Sequence, residues 1–335
     1  MTSPTAIPLA DPELAELLTT KLQLVEERLR DSVSHADALA DEASRHLVNA
    51  GGKRLRPLIT LLTAQLGDGQ RPEVLDAAVV VELTHLATLY HDDVMDSAPL
   101  RRGAPAAHEV WGNSVAILTG DLLFARASAT VAGLGPEAVR IQASTFERLC
   151  LGQLHETVGP RPGEDAVAHY LQVLADKTAS LIATSAMFGA MFSGCPSSVV
   201  RTVTGYGEKI GVAFQLADDV IDLTSTGSMT GKTPGTDLRE RVPTMPALLL
   251  RARAGADGAS TADRDLVALL ESDLSTDAAL DEAVAALRTH PVVDETREQA
   301  VRWANEAVEL LAPLPAGSVK DALAAFAESL VDRSA

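Results

Sequence analysis

Two acidic clusters set the terms on which this chain can fold. His91-Asp92-Asp93-Val94-Met95-Asp96 and Asp218-Asp219-Val220-Ile221-Asp222 each lie inside otherwise apolar sequence with helical spacing. In each, the first and last aspartates are four residues apart, so on an α-helix they share a face and can offer oxygens to the same hard cation. Six carboxylates at close range repel one another and resist burial. A fold that brings the two faces together therefore makes sense as a cage for Mg²⁺ ions and a polyanionic substrate, which neutralise the carboxylates.

The rest of the chain reads as helix. Leucines and alanines recur at helical spacing through residues 12–49, and Gly51-Gly52 breaks the pattern. Apolar helical stretches follow at 54–67, from Pro72 to Asp96, at 114–132, 136–157, 165–193 and 198–223, then Met245 to Leu250 and a series of shorter ones to the end. Pro291 and Pro313 to Pro315 read as breaks. Glu82, His85 and His91 stand inside the least polar long helix, where polar groups need partners or a function. With aromatics at only 3% and no strand signal, the expectation is all-α. No Pro- or Gly-rich linker separates the clusters, so residues 1–335 read as a single large helical domain, with 247–335 supplying its C-terminal helices.

The 335 residues, 46% of them hydrophobic, suffice for a large core, and the net charge of -18 argues against a broad nucleic-acid surface. Cys150 and Cys195 fit neither a disulfide framework nor a zinc knuckle; both read as core thiols of a cytoplasmic protein. Residues 1–19 lack a secretory pattern, and no uninterrupted apolar run reaches membrane-spanning length.

Basic residues complete the pattern. In Gly51-Gly52-Lys53-Arg54-Leu55-Arg56-Pro57, cations stand at a helix start, which is unfavourable unless an anion binds there. The glycines let backbone approach that anion, and Lys53 and Arg56 can clamp phosphoryl oxygens. Arg101-Arg102-Gly103 follows Asp96 closely; adjacent side chains point different ways, so the two arginines can serve two anions.

These stretches, with Gly120-Asp121, Gly152-Gln153, Lys177-Thr178, Phe214-Gln215 before the second cluster and Gly231-Lys232, resemble the trans-polyprenyl diphosphate synthases of the isoprenyl diphosphate synthase family, most of all the bacterial long-chain type. The resemblance covers about residues 45–246 in order. It implies an all-α isoprenoid-synthase bundle around a deep cavity, a homodimer, and three Mg²⁺ ions with substrate bound. It further implies head-to-tail condensation of an allylic diphosphate with isopentenyl diphosphate. Carried over by motif, Asp92, Asp96 and Asp218 ligate metal, with Asp93, Asp219 and Asp222 assisting. Arg101, Lys177, Thr178, Gln215 and Lys232 hold the allylic diphosphate; Lys53, Arg56, His85 and Arg102 hold isopentenyl diphosphate. Asp121 and Gln153 read as supporting or structural, and His91 as structural or supporting, because imidazole suits Mg²⁺ poorly.

The chain departs from the family at Glu240-Arg241-Val242-Pro243-Thr244-Met245-Pro246, where Glu-Gly-Lys is common; Arg239 or Arg241 offers a nearby substitute cation. Chain length depends on the helix ending in Asp92. Family reasoning makes Ala87 and Thr88 a steric gate, with Thr84 and Val81 deeper. All are small enough to suggest a product of about thirty to fifty carbons, as for a quinone tail, since each buried methylene gains about 0.8 kcal/mol. The alternatives are a farnesyl or geranylgeranyl diphosphate synthase and a noncatalytic subunit of a heteromeric synthase. A terpene cyclase would not need the second diphosphate group. Release of a long product suggests at most peripheral membrane contact.

Overall fold

The computed structural model describes Ile7, residues 9–224 and residues 234–332, and its chain falls into two compact units. The first comprises residues up to Arg148, Ser180–Gly207 and Leu310–Ala325; the second comprises Leu149–Ala179, Glu208–Glu309 and the residues from Phe326.

In the first unit, α1 (Pro12–Ser32) and α2 (Ala38–Asn49) begin at Asp11 and Asp37, whose carboxylates accept backbone N–H groups of the first turn. Helix α3 (Leu55–Ala64) starts at Arg54, which has left-handed backbone geometry, and α4 (Pro72–Met95) starts with Pro at its first position. Then come α5 (Ala107–Trp111), α6 (Asn113–Ala132), α7 (Pro136–Val158) as far as Arg148, α9 (Ser180–Phe192) and α10 (Ser197–Thr224) as far as Gly207, the rest of α7 and α10 belonging to the second unit. Helix α4 packs most extensively on α6, and also on α3 and α9. Gly189 lets α9 lie directly on the Thr60 carbonyl, and Thr60 and Thr63 donate to the Ser185 and Ala186 carbonyls at 3.0 and 3.1 Å. This rigid α3–α9 contact fixes the base from which the Gly51–Pro57 segment projects.

The second unit contains α8 (Ala166–Leu174), capped by Asp165, then a π-helical turn at Ala175–Ala179. It continues through the later part of α10, α11 (Thr236–Arg239), α12 (Met245–Gly255), α13 (Thr261–Leu270), α14 (Asp277–Arg288) and α15 (Pro291–Leu310). The last described helix is α16 (Ser318–Asp332), which belongs to the first unit as far as Ala325 and to the second from Phe326. One core cluster joins Tyr170, Leu174, Val212, Leu216, Met245 and Leu248; another joins Val220, Leu250, Leu280, Leu287 and Val292.

The all-α expectation holds, with two corrections in detail. Among the described residues, strand pairing is confined to β1 (Leu100–Arg101) and β2 (Ala104–Pro105), an antiparallel pair whose turn residues Arg102 and Gly103 both have positive φ. Strands two residues long leave no periodicity to read. Cys150 is exposed rather than core, because it falls on the outer side of α7. Helix α6 is long and apolar enough to cross a membrane by length and composition, with Asp121 and Arg126 interrupting its apolar run as the sequence showed. Pro291 marks the expected break, as the first residue of α15 after α14 ends at Arg288.

Candidate functional site

Backbone strain concentrates where the basic residues gather. Gly51, Gly52, Arg54, Ser97, Arg102 and Gly103 all have positive φ, a conformation that costs a side-chain-bearing residue about 1–2 kcal/mol. The hairpin turn throws Arg102 back onto the glycine pair, where its Nη1 donates to the Gly51 carbonyl, and to that of Leu47 at 3.3 Å. A Cβ on Gly52 would sit 2.8 Å from the Arg102 guanidinium carbon, so a side chain there would have to displace the guanidinium. Arg56, one turn into α3, keeps its Nε buried without a hydrogen-bond partner. Burial lowers the Arg56 guanidinium to about 10, with Glu82 opposing and Arg102 adding to the shift. Burial also lowers Arg102, and it holds the His85 imidazole well below its ordinary value, helped by Arg56, Arg102 and Arg101. Two guanidiniums and a neutral imidazole around an unsatisfied donor make a site for a polyanion. Lys53 stands exposed beside it.

The first acidic cluster ends α4 in the same unit. Asp92 is half-buried and Asp96 exposed at the helix C-cap. Asp93 faces the other way: it is fully buried and accepts from Arg101 Nε at 2.6 Å and Nη2 at 2.5 Å. Its second oxygen is buried without a partner, and burial raises its carboxyl. His91 lies with its ring over Gly120, its Nε2 3.0 Å from the Ile117 carbonyl and 3.3 Å from Asp121. That contact ties α4 to α6, in keeping with a structural reading of His91 and Asp121. Of the gate residues, Val81, Thr84 and Ala87 are buried, and Thr88 is half-buried.

The second unit carries the other cluster on α10. Asp218 and Asp222 are half-buried on one helix face, and Gln215 lies one turn before them. Asp219 is buried, accepting from Tyr170 Oη at 3.0 and 2.9 Å and from the Met245 N–H at 2.8 Å. Burial raises its carboxyl well above the usual range, against those hydrogen bonds. Lys177 and Thr178 sit in the π turn, where Gly152 allows α7 to touch the Lys177 backbone. Lys177 Nζ pairs with Glu156, and the nearby Gln153 keeps a buried Oε1 without a partner. Lys232 lies outside the described residues.

The Polyprenyl synthetase family profile matches residues 37–287. The chain belongs to that family. Among known members, the nonaprenyl diphosphate synthase of Mycobacterium tuberculosis is 43% identical over 328 residues, covering 98% of this chain and 96% of that one. Among solved structures, the polyprenyl synthase of Caulobacter crescentus, complexed with calcium and isoprenyl diphosphate, matches with TM-score 0.86 at 31% identity, covering 100% of both chains. The geranylgeranyl pyrophosphate synthase of Corynebacterium glutamicum, in the same kind of complex, matches with TM-score 0.85 at 38% identity, covering 98% and 99%. This polyprenyl synthetase is a trans-prenyltransferase that condenses isopentenyl diphosphate with an allylic diphosphate.

Some assignments change with the geometry in view. Near the missing lysine, Arg239 pairs with Asp277 at 2.6 Å and Arg241 donates to the Ser272 carbonyl at 3.3 Å. Arg241 also has φ +59, at a position where the family commonly places glycine. Asp93 and Asp219 both turn inward, Asp93 onto Arg101 and Asp219 onto Tyr170 and the Met245 N–H. Tyr170, Glu156 and Arg54 went unread in the sequence; the buried Glu82 was the signal that could have found Arg54, its cation at 2.9 Å.

Proposed function

We propose that this prenyltransferase is Mg²⁺-dependent and makes a long product, of about thirty to fifty carbons, for a quinone side chain. The supporting observation is the run of small residues on α4 leading from Asp92, Thr88 and Ala87 first and Thr84 next, with no aromatic to stop growth. The similar proteins include both a nonaprenyl diphosphate synthase and a geranylgeranyl pyrophosphate synthase, so likeness alone does not separate long from short products. A specific observation favours the shorter alternative of fifteen or twenty carbons: Val81, Thr84 and Ala87 are already covered by protein, so a long tail must displace what packs on them. Product length decides between the two. Incubation with labelled isopentenyl diphosphate and allylic starters of ten to twenty carbons, followed by reversed-phase chromatography and mass spectrometry, is expected to give products of thirty carbons or more. A stop at twenty would establish the shorter reading.

The donor set suits the metal. Asp92, Asp96, Asp218 and Asp222 present oxygen only, which is what Mg²⁺ takes. Three bound Mg²⁺ ions would neutralise the departing diphosphate so that the allylic carbon–oxygen bond can ionise. Arg101, Lys177, Thr178, Gln215 and Lys232 hold that diphosphate. Lys53, Arg56, His85 and Arg102 hold isopentenyl diphosphate with its double bond toward the cation, and the apolar walls exclude water. Loss of a proton to the released diphosphate completes each addition. Substrate binding at these places requires Arg101 and Lys177 to exchange Asp93 and Glu156 for phosphate oxygens.

The enzyme works as a homodimer in this reading. Ile117, Leu118 and Leu122 on α6, with Val139 and Phe146 on α7, are exposed, and Phe124 stacks on Phe146 with ring centroids 4.2 Å apart. A second copy burying this face accounts for a helix as apolar as α6 on a protein surface.

A further inference from the structure

The Arg56, His85 and Arg102 cluster contains a negative charge that ought to spoil it. Glu82 lies on α4 one turn before His85, its side chain 2% exposed, and its charge acts on both Arg56 and Arg102. A buried carboxylate that close would be expected to pair with the nearest guanidinium, yet Arg56 Nε has no partner. Glu82 is held elsewhere. Its Oε1 accepts Arg54 Nη1 at 2.9 Å. Arg54 Nη2 donates to the Val48 carbonyl at 3.0 Å and to Glu26 at 3.3 Å, and Nε donates to Glu26 as well. Every nitrogen of this guanidinium is engaged, by α1, α2 and α4, and its side chain is only 5% exposed. The left-handed backbone at Arg54 turns this side chain inward while Lys53 and Arg56, on either side of it, remain for the anion.

We propose that Arg54 is a positioning residue that sequesters Glu82, so that Arg56 and Arg102 stay available for the diphosphate of isopentenyl diphosphate. The inference rests on the isopentenyl diphosphate reading of that cluster. Arg54 touches no substrate in this account. Its removal acts by releasing Glu82 onto Arg56 and Arg102, which then meet a carboxylate where phosphate should bind.

Steady-state kinetics on the full chain test this, with both substrates varied in turn at fixed Mg²⁺. Arg54→Gln is expected to raise KM for isopentenyl diphosphate roughly tenfold or more, the effect of one lost charge-assisted hydrogen bond, while KM for the allylic substrate changes less than about twofold. The double variant Arg54→Gln/Glu82→Gln, lacking the liberated charge, is expected to recover KM for isopentenyl diphosphate to within about threefold of the parent. A double variant no better than Arg54→Gln, or equal rises for both substrates, overturns the sequestration. Should Arg54→Gln fail to fold, Glu82→Gln alone carries the test: an unchanged or lower KM for isopentenyl diphosphate supports the proposal, and a raised one makes Glu82 part of the substrate site and refutes it. Absence of turnover in the parent would instead sink the functional reading itself.

Discussion

Replacing Gly52 by alanine isolates the geometry of the isopentenyl diphosphate cluster. The new Cβ would lie 2.8 Å from Arg102 Cζ and Nη1 and 3.0 Å from Nη2, so the guanidinium must leave its place. Gly52 also has φ +142, where alanine costs about 1–3 kcal/mol of stability. Displacing Arg102 from a phosphate oxygen forfeits a hydrogen bond to a charged group, about 1.5–3 kcal/mol. That corresponds to a rise in KM for isopentenyl diphosphate of about tenfold to 150-fold, with KM for the allylic substrate little changed. Gly51→Ala is the control, because φ +79 brings similar strain but nothing lies within 4 Å of its Cβ. Steady-state kinetics and a thermal melt on both variants separate strain from displacement. Equal rises in KM in Gly51→Ala and Gly52→Ala, or no change in either, would refute the role given to Arg102.

Three further outcomes follow from the described side chains. Tyr170→Phe leaves Asp219 with the Met245 N–H as its remaining described donor, so the melt should fall by the equivalent of about 1–3 kcal/mol, and half-maximal activity should need more Mg²⁺; an unchanged Mg²⁺ requirement would limit Tyr170 to stability. Arg241→Gly relieves a left-handed residue at φ +59 and should stabilise the chain by about 1 kcal/mol in urea unfolding, less the Ser272 hydrogen bond; a loss of stability would contradict the strain argument. His85 is held neutral in the fold but titrates near 6.5 when unfolded, so the unfolded chain binds the extra proton and stability falls as pH drops below that value, by up to about 1.4 kcal/mol per pH unit. Urea midpoints at pH 7.5 and 5.5 should converge in His85→Gln, and an equal fall in parent and variant would exclude His85 as the cause.

Much of this was legible because helical spacing of apolar residues is a strong signal and carboxylates inside it demand an explanation. Both aspartate helices, the glycine-flanked basic turn and the supporting place of His91 could be read directly. The π turn at Ala175–Ala179 could not, since one extra residue in a turn hardly disturbs an apolar pattern, yet it presents Lys177 and Thr178. Equally invisible was the division of labour within each aspartate pair. Which carboxylate turns inward depends on Arg101 and Tyr170, donors far from obvious in a linear pattern. Cys150 misled because cysteine is usually buried, whereas here the outer side of α7 carries it alongside exposed Leu151 and Leu154.

In the proposed reaction the two diphosphates are held by different chemistry, one by guanidiniums and an imidazole, the other through Mg²⁺ on carboxylates. Calorimetric titration of each substrate with Mg²⁺ and with EDTA tests it most directly, using a non-ionisable allylic thiodiphosphate. Isopentenyl diphosphate is predicted to bind comparably in both conditions and to lose affinity in Arg56→Met, whereas the allylic analogue binds only with Mg²⁺ and not to Asp92→Asn. Equal dependence of both ligands on Mg²⁺, with Arg56→Met affecting them alike, would contradict the account.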